Sequence, residues 1–154
     1  MRKSVIFLAV ACLALFLSGP ASAADGSAVY MRCFGCHKST GEGGGMFPPL
    51  ASNAGEIAKV PGGRAYMIQV VLFGLKGEIQ VGGKTYKGMM PGLGNQLKDD
   101  EIAAVLNHVL SSWGNDKLLP KGHKEIGADE VKALRGKNLS PDQVHAERQK
   151  LKLK

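Results

Sequence analysis

The chain has 154 residues, with 20 Lys or Arg against 13 Asp or Glu, and a formal net charge of +7. Removal of a predicted leader over residues 1–23 leaves 131 of the 154 residues, a length typical of a single domain. Residues 24–116 carry eight basic and eight acidic side chains, whereas residues 117–154 carry ten and five. No aromatic residues interleave the basic charges of this tail, which argues against nucleic acid as a partner.

The first 23 residues have the pattern of a secretory signal peptide. Arg2 and Lys3 precede a thirteen-residue apolar run over 5–17, and small residues lead up to a cleavage site after Ala23. Thirteen apolar residues fall short of the roughly 20 that span a bilayer, so cleavage is favoured over a retained anchor. We therefore expect a soluble protein exported to the periplasm. Cys12 leaves with the leader, so Cys33 and Cys36 are the only thiols of the mature chain.

A short helix is predicted over residues 25–33, with Asp25 as its N-cap. It leads into the pentapeptide Cys33-Phe34-Gly35-Cys36-His37. Cys-x-x-Cys-His is the attachment signature of c-type haem, in which both thiols form thioethers and the histidine becomes an axial ligand. A redox-active disulfide is the alternative for a plain Cys-x-x-Cys pair, but His37 follows directly and no βαβ pattern surrounds it.

The middle of the chain is predicted to alternate loops with one helix. Residues 39–51 are rich in glycine and proline and form a loop that can wrap tightly around a bulky ligand. Apolar residues at three-and-four spacing predict a helix over 64–75. Residues 77–83 alternate around Ile79 and Val81 and suggest a small strand or hairpin, and residues 86–94 are expected to be loop.

Asp99, Asp100 and Glu101 open the longest predicted helix, where acidic side chains complement the helix dipole. Gly114 is the expected C-cap. The buried stripe of this helix is Ile102, Val105, Leu106, Val109 and Trp113.

Beyond the domain over 24–116, two weaker helices are predicted within the basic extension over 117–154. One covers about 128–135, and the other opens with a capping box, Ser140 to Gln143, with Pro141 at the first helical position. Apolar anchors favour docking of the extension on the domain over a disordered tail. These anchors are Val131, Leu134, Leu139, Val144 and Leu151.

This order of elements resembles the class I c-type cytochromes over residues 24–115. Segments 47–51, 86–90 and 96–108, and the extension itself, are similar to the soluble cytochrome c-552 family of Thermus-type bacteria. The resemblance implies an all-α fold of short helices around one covalently attached haem c. It also implies a small β-hairpin and a C-terminal helical extension that wraps the domain.

The same resemblance implies several haem contacts. The carbonyl of Pro48 would accept a hydrogen bond from the second ring nitrogen of His37, and Leu50 would pack on the porphyrin. Tyr86 lies in the segment that matches the family pattern. Arg64 is expected at a haem propionate, with Tyr66 and Trp113 as further candidates.

The sixth iron ligand is expected to be Met90. Met90 precedes Pro91, the usual context of this ligand in the family, and Met89 is the alternative because both side chains are soft thioethers. Met46 on its loop is not excluded by spacing. Met31 and Met67 are more typical of core residues.

Two axial protein ligands leave no open site on the iron, so we expect an electron carrier and not an enzyme. The resemblance implies a terminal haem-copper cytochrome c oxidase as electron acceptor. A quinol-oxidising complex or a dehydrogenase is the expected donor, and the protein is expected to be a monomer. A haem enzyme with an open site and a dedicated subunit of a dehydrogenase are the competing hypotheses.

Overall fold

The computed structural model describes residues 24–153, so the predicted leader lies outside the described residues. As expected, the described chain is mainly helical with one two-stranded antiparallel sheet. Among these residues, no helix combines the length and the apolar character needed to cross a bilayer. The helices are α1 Gly26–Tyr30, α2 Phe34–His37, α3 Ala54–Lys59, α4 Gly63–Phe73, α5 Asp99–Ser111, α6 Ala128–Arg135 and α7 Pro141–Lys150; the strands are β1 Gly74–Val81 and β2 Lys84–Pro91.

Helix α1 packs on α5, the longest helix. The Asp25 carboxylate caps α1 by accepting from the backbone N–H of Ser27 at 2.9 Å, which confirms its predicted role. A Cβ on Gly26 would collide with the backbone carbonyl of Ala104 in α5, so the two helices approach backbone to backbone. The ring centres of Tyr30 and His108 lie 5.5 Å apart across this contact.

The core lies between α4 and α5. Ile68 and Ile102 are 0 % exposed, and the predicted stripe on α5 is buried from Ile102 to Val109. Glu101 accepts from the backbone N–H of Lys98 at 2.8 Å and so closes the start of α5. The helix ends at Ser111, three residues before the expected C-cap, because Ser112 is already extended.

The hairpin is longer than the sequence indicated. Residues 86–91 belong to β2, whereas a loop was expected from residue 86 onward. Met90 pairs with Leu75 and Tyr86 pairs with Ile79, and a turn at Gly82 and Gly83 joins the strands. Gly88 interrupts the alternation of apolar side chains in β2, so the local sequence does not look like a strand.

The extension forms both predicted helices. Val131 in α6 and Val144 in α7 are 0 % exposed, and the capping box between Ser140 and Gln143 is confirmed. Helix α6 packs on α5, and α7 packs on α4 and β1. Arg135 of α6 pairs with Asp99 of α5 at 2.8 Å, so the extension is fastened to the helices that form the core.

Candidate haem site

A large apolar cavity lies between α2, α4, α5 and the hairpin. It contains about 1210 Å³ of space, part of which is open to solvent. Five of the seven helices and both strands contribute to its wall, and the cavity lies beside the core between α4 and α5. Typical wall residues are Ile57, Met67, Val71, Val105, Leu106 and Val109.

Helix α2 brings the three residues of the attachment motif to one side of this cavity. The backbone N–H of His37 donates to the carbonyl of Cys33 at 2.9 Å, so Cys33, Cys36 and His37 occupy one helical turn. The two cysteines do not form a disulfide with each other; Cys33 is half-buried and Cys36 is exposed. Burial, with a smaller contribution from Cys36, raises the pKa of the Cys33 thiol.

His37 is buried and oriented by the loop that follows it. Its Nδ1 donates to the carbonyl of Pro48 at 3.0 Å, as the family resemblance implied, which leaves Nε2 as the free ring nitrogen. Burial lowers the pKa of His37, and the hydrogen bond to Pro48 opposes that shift. The neutral imidazole that results is the form that binds a metal.

The glycine-rich loop is folded tightly behind His37. The N–H of Gly43 donates to the carbonyl of His37 at 3.2 Å, with Gly43 at φ +61°. A Cβ on Gly43 would collide with the Phe47 carbonyl and would lie 2.7 Å from the Pro48 carbonyl. Glycine is therefore needed at residue 43 for the Pro48 carbonyl to reach His37. Leu50, at the end of the loop, lines the cavity.

Strand β2 places Met89 and Met90, the two candidates for the sixth iron ligand, on opposite faces. Tyr86, Gly88 and Met90 are more buried than their neighbours, as expected for alternate residues that share the inner face of a strand. Met89 is 65 % exposed. Both methionines line the cavity, Met89 at its exposed edge. The alternation therefore favours Met90.

Arg148 of α7 also lines the cavity, although it was not among the residues predicted for the site. It is 7 % exposed and, among residues 24–153, is the one Lys or Arg that lines the cavity. Its Nη2 donates to the carbonyl of Gln80 at 2.9 Å, and Nη1 lies 3.4 Å from the hydroxyl of Tyr66. The signal was present, because Arg148 follows the buried anchor Val144 by one helical turn.

Arg64, which was expected at a propionate, is elsewhere. Its guanidinium binds the carboxylate of Glu130 at 2.6 Å and also the carbonyls of Lys124 and Glu125. It is not among the cavity-lining residues. The positive charge of Arg64 already has a carboxylate partner in α6, so this arginine fastens the extension and the expectation is corrected.

Tyr66 lines the cavity, whereas Trp113 does not. The ring of Trp113 packs on Tyr30, with ring centres 4.9 Å apart, and against Gly41.

The residues present fit a haem held by two thioethers. Two cysteines and a neutral imidazole share one cavity wall, and a thioether comes from β2. The remaining wall is mainly apolar, and its polar side chains are Asn53, Tyr66, Tyr86 and Arg148.

Known proteins of one family are similar to this chain over much of its length. A family model for cytochrome c matches residues 23–113. The chain is 53% identical over 142 residues to a cytochrome c-552 of Thermus thermophilus, covering 91% of this chain and 95% of that protein. It is 38% identical over 94 residues to the cytochrome c subunit of a quinone alcohol dehydrogenase from Gluconobacter oxydans, covering 59% of this chain and 19% of that subunit.

Proposed function

This chain belongs to the cytochrome c family as a class I c-type cytochrome with covalently attached haem c, and we propose that it carries single electrons to a terminal haem-copper oxidase. Cys33 and Cys36 would form the two thioethers that hold the haem, and His37 and Met90 would bind its iron. When bound, the haem supplies a one-electron redox centre.

The observation that carries this proposal is that the cavity receives a fixed imidazole from α2 and a thioether from the inner face of β2. His37 is held by Pro48, and Met90 shares its strand face with Tyr86. With both side chains bound, the iron would have no position open for a substrate. Because the same two side chains would stay bound in both redox states, the chain would rearrange little when the haem gains or loses an electron.

Arg148 supports the proposal through its charge. Carboxylates such as the haem propionates are stable in an apolar cavity only if a cation or hydrogen-bond donors meet them. The guanidinium of Arg148 is fixed there by the Gln80 carbonyl, and it has N–H groups besides the two that bind protein. Arg148 therefore takes the propionate role first expected of Arg64.

The docking surface for the redox partners is the exposed apolar edge of the cavity. Met46 is 57 % exposed and Met89 is 65 % exposed, and both line the cavity. Phe34, between the two attachment cysteines, is 45 % exposed. Because residues 24–116 carry equal numbers of basic and acidic side chains, association depends on apolar contact more than on charge.

The cell compartment follows from the leader pattern over residues 1–23, which directs export to the periplasm. Covalent haem attachment takes place outside the cytoplasm, so the motif and the leader point to the same compartment. A quinol-oxidising complex or a dehydrogenase is the donor, and the carrier acts as a monomer.

The test is stopped-flow oxidation of the reduced protein by a purified haem-copper oxidase. We expect the rate constant to change by less than about threefold between roughly 0.01 M and 0.15 M ionic strength, because few charges meet at the contact. Carbon monoxide should leave the spectrum of the reduced protein unchanged. Failure to reduce the oxidase, or a steep fall in rate with salt, would contradict the partner or the apolar contact. Rapid carbon monoxide binding would indicate an open iron site and a haem enzyme.

A further inference from the structure

Helix α7 lies along the outer edge of β1 and binds its backbone. The Nε2 of His145 donates to the carbonyl of Glu78 at 2.7 Å, and Arg148 donates to the carbonyl of Gln80. Carbonyls two residues apart on a strand point in the same direction, and side chains three apart on a helix share a face. Two side chains on one face of α7 therefore bind two successive outward carbonyls of β1.

The imidazole of His145 also fills the space beside Gly77. A Cβ on Gly77 would lie 2.8 Å from the Cγ and Cδ2 atoms of that ring. Gly77 lines the cavity and pairs with Gly88 in β2, two residues before Met90. His145 thus supports the cavity wall from behind, next to the strand that carries the proposed ligand.

Hydrogen bonds from the rest of the chain hold the hairpin at few points. At its base, the N–H of Leu93 donates to Val71 at 2.8 Å and that of Gly94 donates to Leu72 at 3.0 Å. Among residues 24–153, the hydrogen bonds and ion pairs that residues 75–90 make outside the hairpin all come from α7. One of these, Lys76 with Asp142, spans 3.7 Å between exposed side chains and contributes little.

We propose that His145 is a positioning residue for the sixth iron ligand, acting through β1 on Met90 in β2. This inference rests on the proposed function, in which Met90 binds the iron. The hydrogen bond to Glu78 and the packing on Gly77 keep β1 in place, and the register of the hairpin passes that constraint to Met90. Without His145, β2 moves away from the cavity more often, and an added ligand replaces the thioether more easily.

The experiment is a titration of the oxidised holoprotein with imidazole, followed by loss of the sulfur-to-iron charge-transfer band. We expect His145→Ala to bind imidazole about fivefold more tightly than the wild type, which is the effect of one lost hydrogen bond. His145→Gln keeps an amide donor of similar reach and should stay within about twofold of wild type. The reduction potential should fall in His145→Ala and recover in His145→Gln.

His123→Ala is the matched control, since it removes another half-buried histidine of the extension whose ring makes no hydrogen bond within the described chain. Its imidazole affinity should equal that of the wild type. If His145→Ala does not accumulate as holoprotein, His145→Phe keeps a ring beside Gly77 without the donor, and tighter imidazole binding is again expected.

A lower thermal midpoint in His145→Ala with unchanged imidazole affinity and potential would overturn the inference, because His145 would then be structural only. Failure of the proposed function would look different. The wild-type protein would lack the sulfur-to-iron band before any substitution. Alternatively, the band would persist in both Met89→Ala and Met90→Ala.

Discussion

The two walls of the cavity are held by interactions of very different range along the chain. The His37 wall, formed by α2 and the loop over 43–50, depends on a hydrogen bond between residues eleven apart, His37 and Pro48. The Met90 wall, formed by β1 and β2, depends on bonds between residues 67 and 68 apart, from His145 to Glu78 and from Arg148 to Gln80. The first wall is fixed by its own segment, and the second is fixed by the extension.

This difference shows why the extension matters to the chemistry. In the His37 wall, a single glycine-rich turn determines the position of the ligand and of its hydrogen-bond partner. In the Met90 wall, β2 pairs with β1, and β1 is bound by α7. Helix α7 is in turn packed on the core through Val144. Damage to the extension should therefore loosen Met90 and leave His37 in place.

The largest effect is expected from Gly43→Ala in the His37 wall. An added methyl group would collide with the carbonyls of Phe47 and Pro48, and the residue would also retain a positive φ. Together these should lower the free energy of unfolding by about 3 kcal/mol or more.

Gly45→Ala is the control for that change, because Gly45 has nearly the same φ, +60°, and its Cβ would meet no atom within 4 Å. It should lose only about 1 to 2 kcal/mol. Denaturant unfolding of the two holoproteins measures both values. Equal losses would mean that the Pro48 carbonyl is not confined by Gly43.

A smaller effect is expected from Glu130→Gln, which removes the carboxylate that Arg64 binds. The two side chains are 29 % and 35 % exposed, so the loss should be about 1 to 2 kcal/mol after allowance for solvent screening.

The matched control is Glu147→Gln, whose pair with Lys150 has side chains 42 % and 68 % exposed and should contribute less than about 0.5 kcal/mol. Urea unfolding at neutral pH compares the two variants. If Glu130→Gln were as mild as Glu147→Gln, the contact between Arg64 and α6 would not fasten the extension.

The parts of the molecule that local sequence specifies were predictable. The attachment motif, the cap at Asp25, the buried stripe of α5 and the capping box at Ser140 all depend on residues within a few positions of each other. The bond from His37 to Pro48 was expected from the family resemblance, and it spans one short loop.

The parts that depend on distant pairing were not predictable. Strand β2 exists because Leu75 to Val81 provide a partner for it, and Gly88 hides its alternation. The sequence places Arg148 on the same helix face as Val144, but it does not show which of Arg64 and Arg148 reaches the cavity. That depends on where α6 and α7 pack: Arg64 binds Glu130 of α6, whereas Arg148 of α7 lies beside Tyr66.

The assignment of Met90 is tested most directly by the sulfur-to-iron charge-transfer band of the oxidised protein. The wild type and Met89→Ala should both show the band, and Met90→Ala should lack it and bind added imidazole without displacing a thioether. A band that survives in Met90→Ala and disappears in Met89→Ala would contradict the inward face assigned to β2. A wild-type protein without the band would contradict methionine ligation altogether.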